Sequence, residues 1–141
     1  MSSGEFVLDP RLANDTAFVC DWALSRVLLM NDTRYPWLVL VPRRAGAVEA
    51  FDLSPADQAL QWREVAHAGL LLKGASGCRK VNVGALGNIV SQLHIHLVAR
   101  NDGDFAWPGP VWGKGEAVRF DADALLAEVA RWRGLLRPPA D

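Results

Sequence analysis

Ser91-Gln92-Leu93-His94-Ile95-His96-Leu97-Val98 alternates polar and apolar side chains from Gln92 to Leu97. A period of two marks a β-strand with one polar and one apolar face. Read as part of a strand over 89–100, the segment places Gln92, His94 and His96 on one face, with neighbours about 6–7 Å apart. Leu93, Ile95 and Leu97 then point the other way, into a core. Asn88 and Arg100 share the parity of the polar face. Three polar groups in a row on an otherwise apolar strand are costly to bury without partners, so this face is expected to line a cleft.

Working outward, Gly84-Ala85-Leu86-Gly87-Asn88 reads as a turn, preceded by a short strand over 78–83. Further back, Ser54-Pro55-Ala56-Asp57 is a helix start: Ser54 can cap, Pro55 fits the first turn, and Asp57 stands where a reciprocal cap would be. Trp62, Val65, Ala66, Gly69 and Leu72 continue at helical spacing, and Gly74 or Gly77 ends the helix. Trp37–Val41 is a continuous apolar run, expected to be a strand buried on both faces and stopped by Pro42. Strands are expected over 16–22 and 25–30, separated from it by the turn at Asn31-Asp32-Thr33 and Pro36. Asp9-Pro10 opens a short helix around 10–14. On the other side, Asn101-Asp102-Gly103-Asp104 breaks the histidine strand, and a Pro/Trp/Gly loop runs through Trp107, Pro108, Pro110, Trp112 and Gly113. A closing amphipathic helix over 121–134 carries Leu125, Leu126, Val129 and Trp132 on one face. The order of elements indicates an α+β fold: an antiparallel sheet of about five strands, one long helix and a C-terminal helix.

The 141 residues suffice for one domain spanning 1–141 with a real core. Fifteen basic and sixteen acidic residues give a net charge of −1, so neither nucleic acid nor a membrane surface is an expected partner. Met1–Pro10 has no basic region followed by a long apolar run, and no stretch is apolar enough to span a bilayer. Cys20 and Cys78 lack metal-ligand or redox spacing and read as reduced thiols of a cytoplasmic protein. His67, on the long helix, reads as a surface or boundary residue. Arg43 and Arg44 read as a solvated pair.

Three chemistries fit His94 and His96. One is the solvated face of a half-buried sheet. Another is metal binding through His-x-His, which needs a third ligand that the neighbouring sequence does not supply. The third is phosphoryl or nucleotidyl transfer: one imidazole attacks phosphorus and later leaves, a second serves the departing group, and a Gly/Asn-rich turn offers donors to phosphate oxygens. Asn82, Gly84, Gly87 and Asn88 provide such a turn.

This constellation resembles the histidine triad (HIT) superfamily, whose motif is His-φ-His-φ-His-φ-φ with φ apolar. Here it stands as QLHIHLV, with Gln92 in the first place and His94 and His96 in the second and third. The QLHIH version with a downstream WPGPVWG is similar to a bacterial branch of HIT-like diadenosine-polyphosphate hydrolases. The resemblance implies a HIT-like fold over most of the chain, a homodimer and a nucleotide substrate. No cofactor is expected and no metal-ligand set is evident in the sequence, while a magnesium ion can still arrive with a polyphosphate. The resemblance also implies that His94 is the nucleophile forming a covalent nucleotidyl intermediate and that His96 lies near the bridging or leaving oxygen. Gln92 completes the catalytic row. It implies ribose binding by Asn31 and phosphate-side contacts by Asn82 and Asn88. A fourth family histidine corresponds to Trp37, so an interacting histidine pair is replaced as a unit by Trp37 and Gln92. A nucleotide-binding or sensing protein with little catalysis is the alternative that this replacement raises.

Overall fold

A computed structural model describes residues 4–140. Helix α1 (Pro10–Asp15) leads into strands β1 (Thr16–Asp21), β2 (Ser25–Met30) and β3 (Trp37–Pro42). A 3-10 turn at Ala50–Asp52 precedes the long helix α2 (Pro55–Ser76), then β4 (Lys80–Gly84), β5 (Ile95–Arg100) and helix α3 (Ala122–Leu135). The strands form one antiparallel sheet in the order β1-β2-β3-β5-β4. The α+β architecture is the one expected.

Both faces of the sheet are covered, which is why β3 is buried at every position. Leu38 and Leu40 join Val27, Leu29 and Leu97 under α2 and α3, where Val65, Leu72, Val129 and Trp132 close the larger core. Trp37, Val39 and Val41 face the other way, against Leu12 of α1, Tyr35, and Ala106 and Val111 of the long loop. His96 has the parity of Trp37 and Val39 through its register with Val39, so it lies on this second face.

Local signals place the helix ends. Ser54 Oγ accepts from the Asp57 N–H at 3.1 Å, and Gly77 closes α2 in the left-handed region at φ 65°. Asp57 does not complete a reciprocal cap, because its carboxylate binds Arg44 instead. Asp121 caps α3 by accepting from the Ala124 N–H.

Three expectations are corrected. First, β5 starts at Ile95, not near 89. The β3 ladder reaches only Leu40↔Ile95 and β4 ends at Gly84↔His96, so the chain before Ile95 has no ladder partner. A strand cannot continue without partners for its backbone groups. Residues 85–94 are held by other bonds: the Leu93 N–H to Ala47 O at 3.0 Å, and Arg11 Nη1 to Ile89 O at 3.0 Å. Second, α2 is rotated from the face expected. Trp62 is 66% exposed, while Gln61 and Glu64 are buried. Glu64 accepts from the Leu24 and Ser25 N–H groups at 3.0 and 2.8 Å, and Gln61 donates to Ser25 Oγ at 3.0 Å. The two backbone donors that open β2 need an acceptor, and α2 supplies it. Third, Leu126 of α3 is exposed, so the buried face of that helix is narrower than expected.

Candidate active site

The second face of the sheet holds an open cavity of about 520 Å³ lined by His94, His96, Trp37 and Trp112, and by the 86–90 turn. Leu12, Met30 and Val111 give it apolar walls; Asn31, Asp32, Arg34 and Arg119 also line it. Trp112 reaches the site because Gly84 has no side chain. A Cβ there would stand 3.1 Å from the Trp112 ring. Gly84 pairs with His96 across the ladder, so the indole and the imidazole meet over one register position, their centroids 5.6 Å apart.

His94 and His96 are both nearly buried, with ring centroids 4.9 Å apart in an edge-to-face arrangement. The His94 Nδ1 lies 2.6 Å from Gln92 O. A carbonyl only accepts, so Nδ1 carries the proton and the Nε2 of the neutral ring carries a lone pair. The His96 Nδ1 accepts from the Trp37 indole N–H at 3.1 Å. Burial, and after it the neighbouring His94 ring, push the His96 imidazole down to about 4. Its neutral ring therefore carries its proton on Nε2. Among the described residues, neither Nε2 has a hydrogen-bond partner in the protein.

The other expected site residues separate into two groups. Asn31 and Asn88 line the cavity. Asn31 Oδ1 accepts from the Phe120 N–H at 2.9 Å, which leaves its amide NH₂ to donate. Gln92 and Asn82 are turned to other work. Because β5 begins at Ile95, Gln92 does not share the histidine face. Its Oε1 accepts from the Asp9 N–H and its Nε2 donates to Val7 O, both at 2.8 Å. The side chain thus staples the segment ahead of α1, while its backbone carbonyl holds His94. Asn82 Oδ1 accepts from Arg100 Nη1 at 2.8 Å.

Arg34 and Arg119 are cavity residues that the sequence does not signal, since no motif surrounds them. Each is ion-paired, Arg34 with Asp32 at 2.8 Å and Arg119 with Asp15 at 3.2 Å. His67 is at the boundary, bonded to Arg137 O at 2.8 Å and packed on Trp22. Arg43 binds the Trp22 and Ala23 carbonyls and Arg44 binds Asp57, so neither is held in the cavity. Trp107 packs on the Arg100 and Arg79 guanidinium groups, away from the histidines. Among the described residues, no group of three or more His, Cys, Asp or Glu side chains is placed to hold a metal ion.

The loop carrying Trp112 is tied down by Arg100, whose side chain is 1% exposed and pairs with Asp104 through two bonds of 2.8 and 2.9 Å. The guanidinium chiefly, with the Asn101 and Trp107 N–H groups, holds the Asp104 carboxyl down at about 2. A carboxyl depressed on folding stabilises the fold above its ordinary range and loses that contribution as pH falls through the folded value. Asp104→Asn is therefore expected to cost about 2–3 kcal/mol at pH 7 by weakening charge-assisted bonds. The gap between variant and wild type should close as pH falls from about 4 toward 2. Denaturant titrations at neutral and acid pH check this; a gap that does not change with pH would contradict it.

The HIT domain family matches residues 11–103. Crystal structures of histidine triad proteins are similar over nearly the whole chain. One from Sinorhizobium meliloti 1021 is 46% identical, with a TM-score of 0.89 over 93% of this chain and 97% of that one. One from Bradyrhizobium japonicum is 42% identical, with a TM-score of 0.90 over 95% and 100%. One from Marinobacter aquaeolei VT8 is 41% identical, with a TM-score of 0.91 over 94% and 97%. The C. elegans NitFhit protein shares the fold at 16% identity and a TM-score of 0.65, over 85% of this chain and 27% of that one. No curated protein matches the sequence. With the family match covering 93 residues and these relatives superposing almost end to end, the chain belongs to the histidine triad family.

Proposed function

We propose that this protein hydrolyses, or transfers a nucleotidyl group from, a nucleotide conjugate at its α-phosphate, through a covalent intermediate on His94. The observation that carries this reading is the His94 ring itself: Nδ1 is anchored on Gln92 O, and its free Nε2 belongs to a ring lining the cavity beside His96. The Nε2 lone pair forms a bond to phosphorus as the bond to the leaving group breaks, and that electron pair leaves with the departing atom. Water then takes the nucleotidyl group. The N–P electron pair returns to Nε2, and the water proton goes to product phosphate or solvent.

Asn31 donates to a ribose hydroxyl oxygen, and Asn88 meets the phosphates from the 86–90 turn. Asn82 is left out of these contacts because it does not line the cavity; its carbonyl oxygen holds Arg100 instead. The leading substrates are a dinucleoside polyphosphate, as in the diadenosine-polyphosphate branch that the QLHIH motif resembles, or a nucleoside phosphoramidate. A homodimer belongs to the same reading. Phe51, Trp62 and Val83 are exposed together beside β4, the edge strand of the sheet. Among the described residues no helix is long and apolar enough to cross a membrane, and a cytoplasmic location is proposed with the rest.

Hydrolysis in ¹⁸O-water tests the site of attack. The label is expected in the nucleoside monophosphate and not in the departing group. Label in the departing phosphate would contradict attack at the α-position.

A further inference from the structure

Trp37 is buried behind the histidines, and its only polar atom, the indole N–H, is spent on His96 Nδ1. An indole N–H donates and never accepts. His96 must accept on Nδ1 to keep that bond, so its single proton sits on Nε2. Becoming a cation would require a second proton on Nδ1, where it would face the indole hydrogen, donor against donor. Three rings pack around the imidazole, with centroids at 4.9 Å for His94, 5.6 Å for Trp37 and 5.6 Å for Trp112. Among the described residues, the one titratable group packed on His96 is His94, and a positive charge there would oppose a second. On the paired strands, Val39 of β3 and Gly84 of β4 stand opposite His96, and neither titrates. The charged residues of the cavity are Asp15, Asp32, Arg34 and Arg119, and they are neutralised in pairs.

From this geometry we infer that Trp37 is a positioning residue that locks His96 as a neutral Nε2–H donor and thereby restricts the site to leaving groups that depart as phosphate-type anions. The inference rests on the attack at the α-phosphate by His94 and narrows its substrate class. In a phosphoanhydride, the bridging P–O bond breaks and its electron pair stays on the leaving oxygen. That anion needs a hydrogen bond but not a proton, and His96 supplies the bond while keeping Nε2–H. In a phosphoramidate, the P–N bond breaks and the nitrogen must gain a proton to leave as an amine. A neutral imidazole gives up Nε2–H only by becoming an anion, so this His96 does not serve that substrate. Its lowered proton affinity agrees with the geometry.

Two readouts test this. In ¹⁵N-histidine NMR of the free protein, His96 should show the Nε2–H tautomer and no titration between pH 5.5 and 8. Trp37→Phe keeps an aromatic ring and removes the donor; its His96 is expected to change tautomer or titrate within that window. The second readout compares a diadenosine polyphosphate with an adenosine phosphoramidate, which share the same transferred group. Wild type should favour the anhydride in kcat/KM by at least about 100-fold, the scale of a missing general acid. In Trp37→Phe the ratio should fall at least about tenfold, mainly by faster amidate cleavage toward acid pH. Wild type cleaving both substrates at similar rates would overturn the inference. So would a His96 that titrates near its ordinary range in the wild type, or a substitution that leaves both the spectrum and the ratio unchanged. The wild-type spectrum needs no variant to fold. If neither substrate is turned over, the proposed function fails, while the tautomer of His96 still decides the role of Trp37.

Discussion

His94→Ala is expected to lower kcat/KM for a nucleotide anhydride by roughly 10,000-fold or more, because loss of a nucleophile removes the whole two-step route. Among the described residues that line the cavity, nothing replaces it. The His96 Nδ1 is held by Trp37, and its Nε2 carries the proton. The residual rate should match that of binding and orientation alone. Steady-state hydrolysis of a nucleotide panel by wild type and variant measures the loss. Activity of the variant within about tenfold of wild type would remove His94 from the chemistry. The alternative, a sensing protein with little catalysis, gives another pattern: equal background rates in both proteins with nucleotide binding retained. Its motive is the resemblance, which implies that Trp37 and Gln92 stand where the family has an interacting histidine pair.

The second large effect concerns stability. Glu64→Ala is expected to destabilise the fold by about 3–5 kcal/mol, since it strips the acceptor from two buried N–H groups and leaves a void. Glu64 is fully buried and bonds Leu24 and Ser25, where the chain turns from β1 into β2. At about 3 °C per kcal/mol for a chain of this size, Tm should fall by roughly 10 °C or more. Glu64→Gln keeps one acceptor oxygen and should lose less. Thermal and denaturant unfolding check both. A loss under about 1 kcal/mol for Glu64→Ala would show that water or a shifted backbone satisfies those donors.

The sequence carried the sheet well where hydrophobic patterning alone decides the outcome. Ser25–Met30 is a strand at the expected bounds, and Trp37–Pro42 is buried on both faces as its apolar run implies. The helix starts at Ser54 and Asp121 follow from capping chemistry that acts within four residues. What was not legible depends on partners distant in the chain. Glu64 and Trp62 exchange the positions expected from polarity because the donors at Leu24 and Ser25 lie 39–40 residues away. The histidine strand is shorter than its alternation suggests, because alternation reports faces and not the reach of neighbouring strands. That shortening matters for the site. His94 and His96 still face one cavity, but Gln92 turns to Val7 and Asp9, and its contribution to His94 comes from its backbone. Trp37 was marked only by the resemblance, as standing where a fourth family histidine is expected. Its bond to His96 required the register of β3 against β5.

In the proposed reaction the nucleotidyl group passes through His94. The stereochemical course at the α-phosphorus tests this most directly, using a substrate made chiral there with sulfur and cleaved in ¹⁸O-water. Each in-line displacement inverts phosphorus, so transfer to His94 and then to water predicts overall retention of configuration. Overall inversion would mean that water attacks in a single step, and would contradict the covalent route.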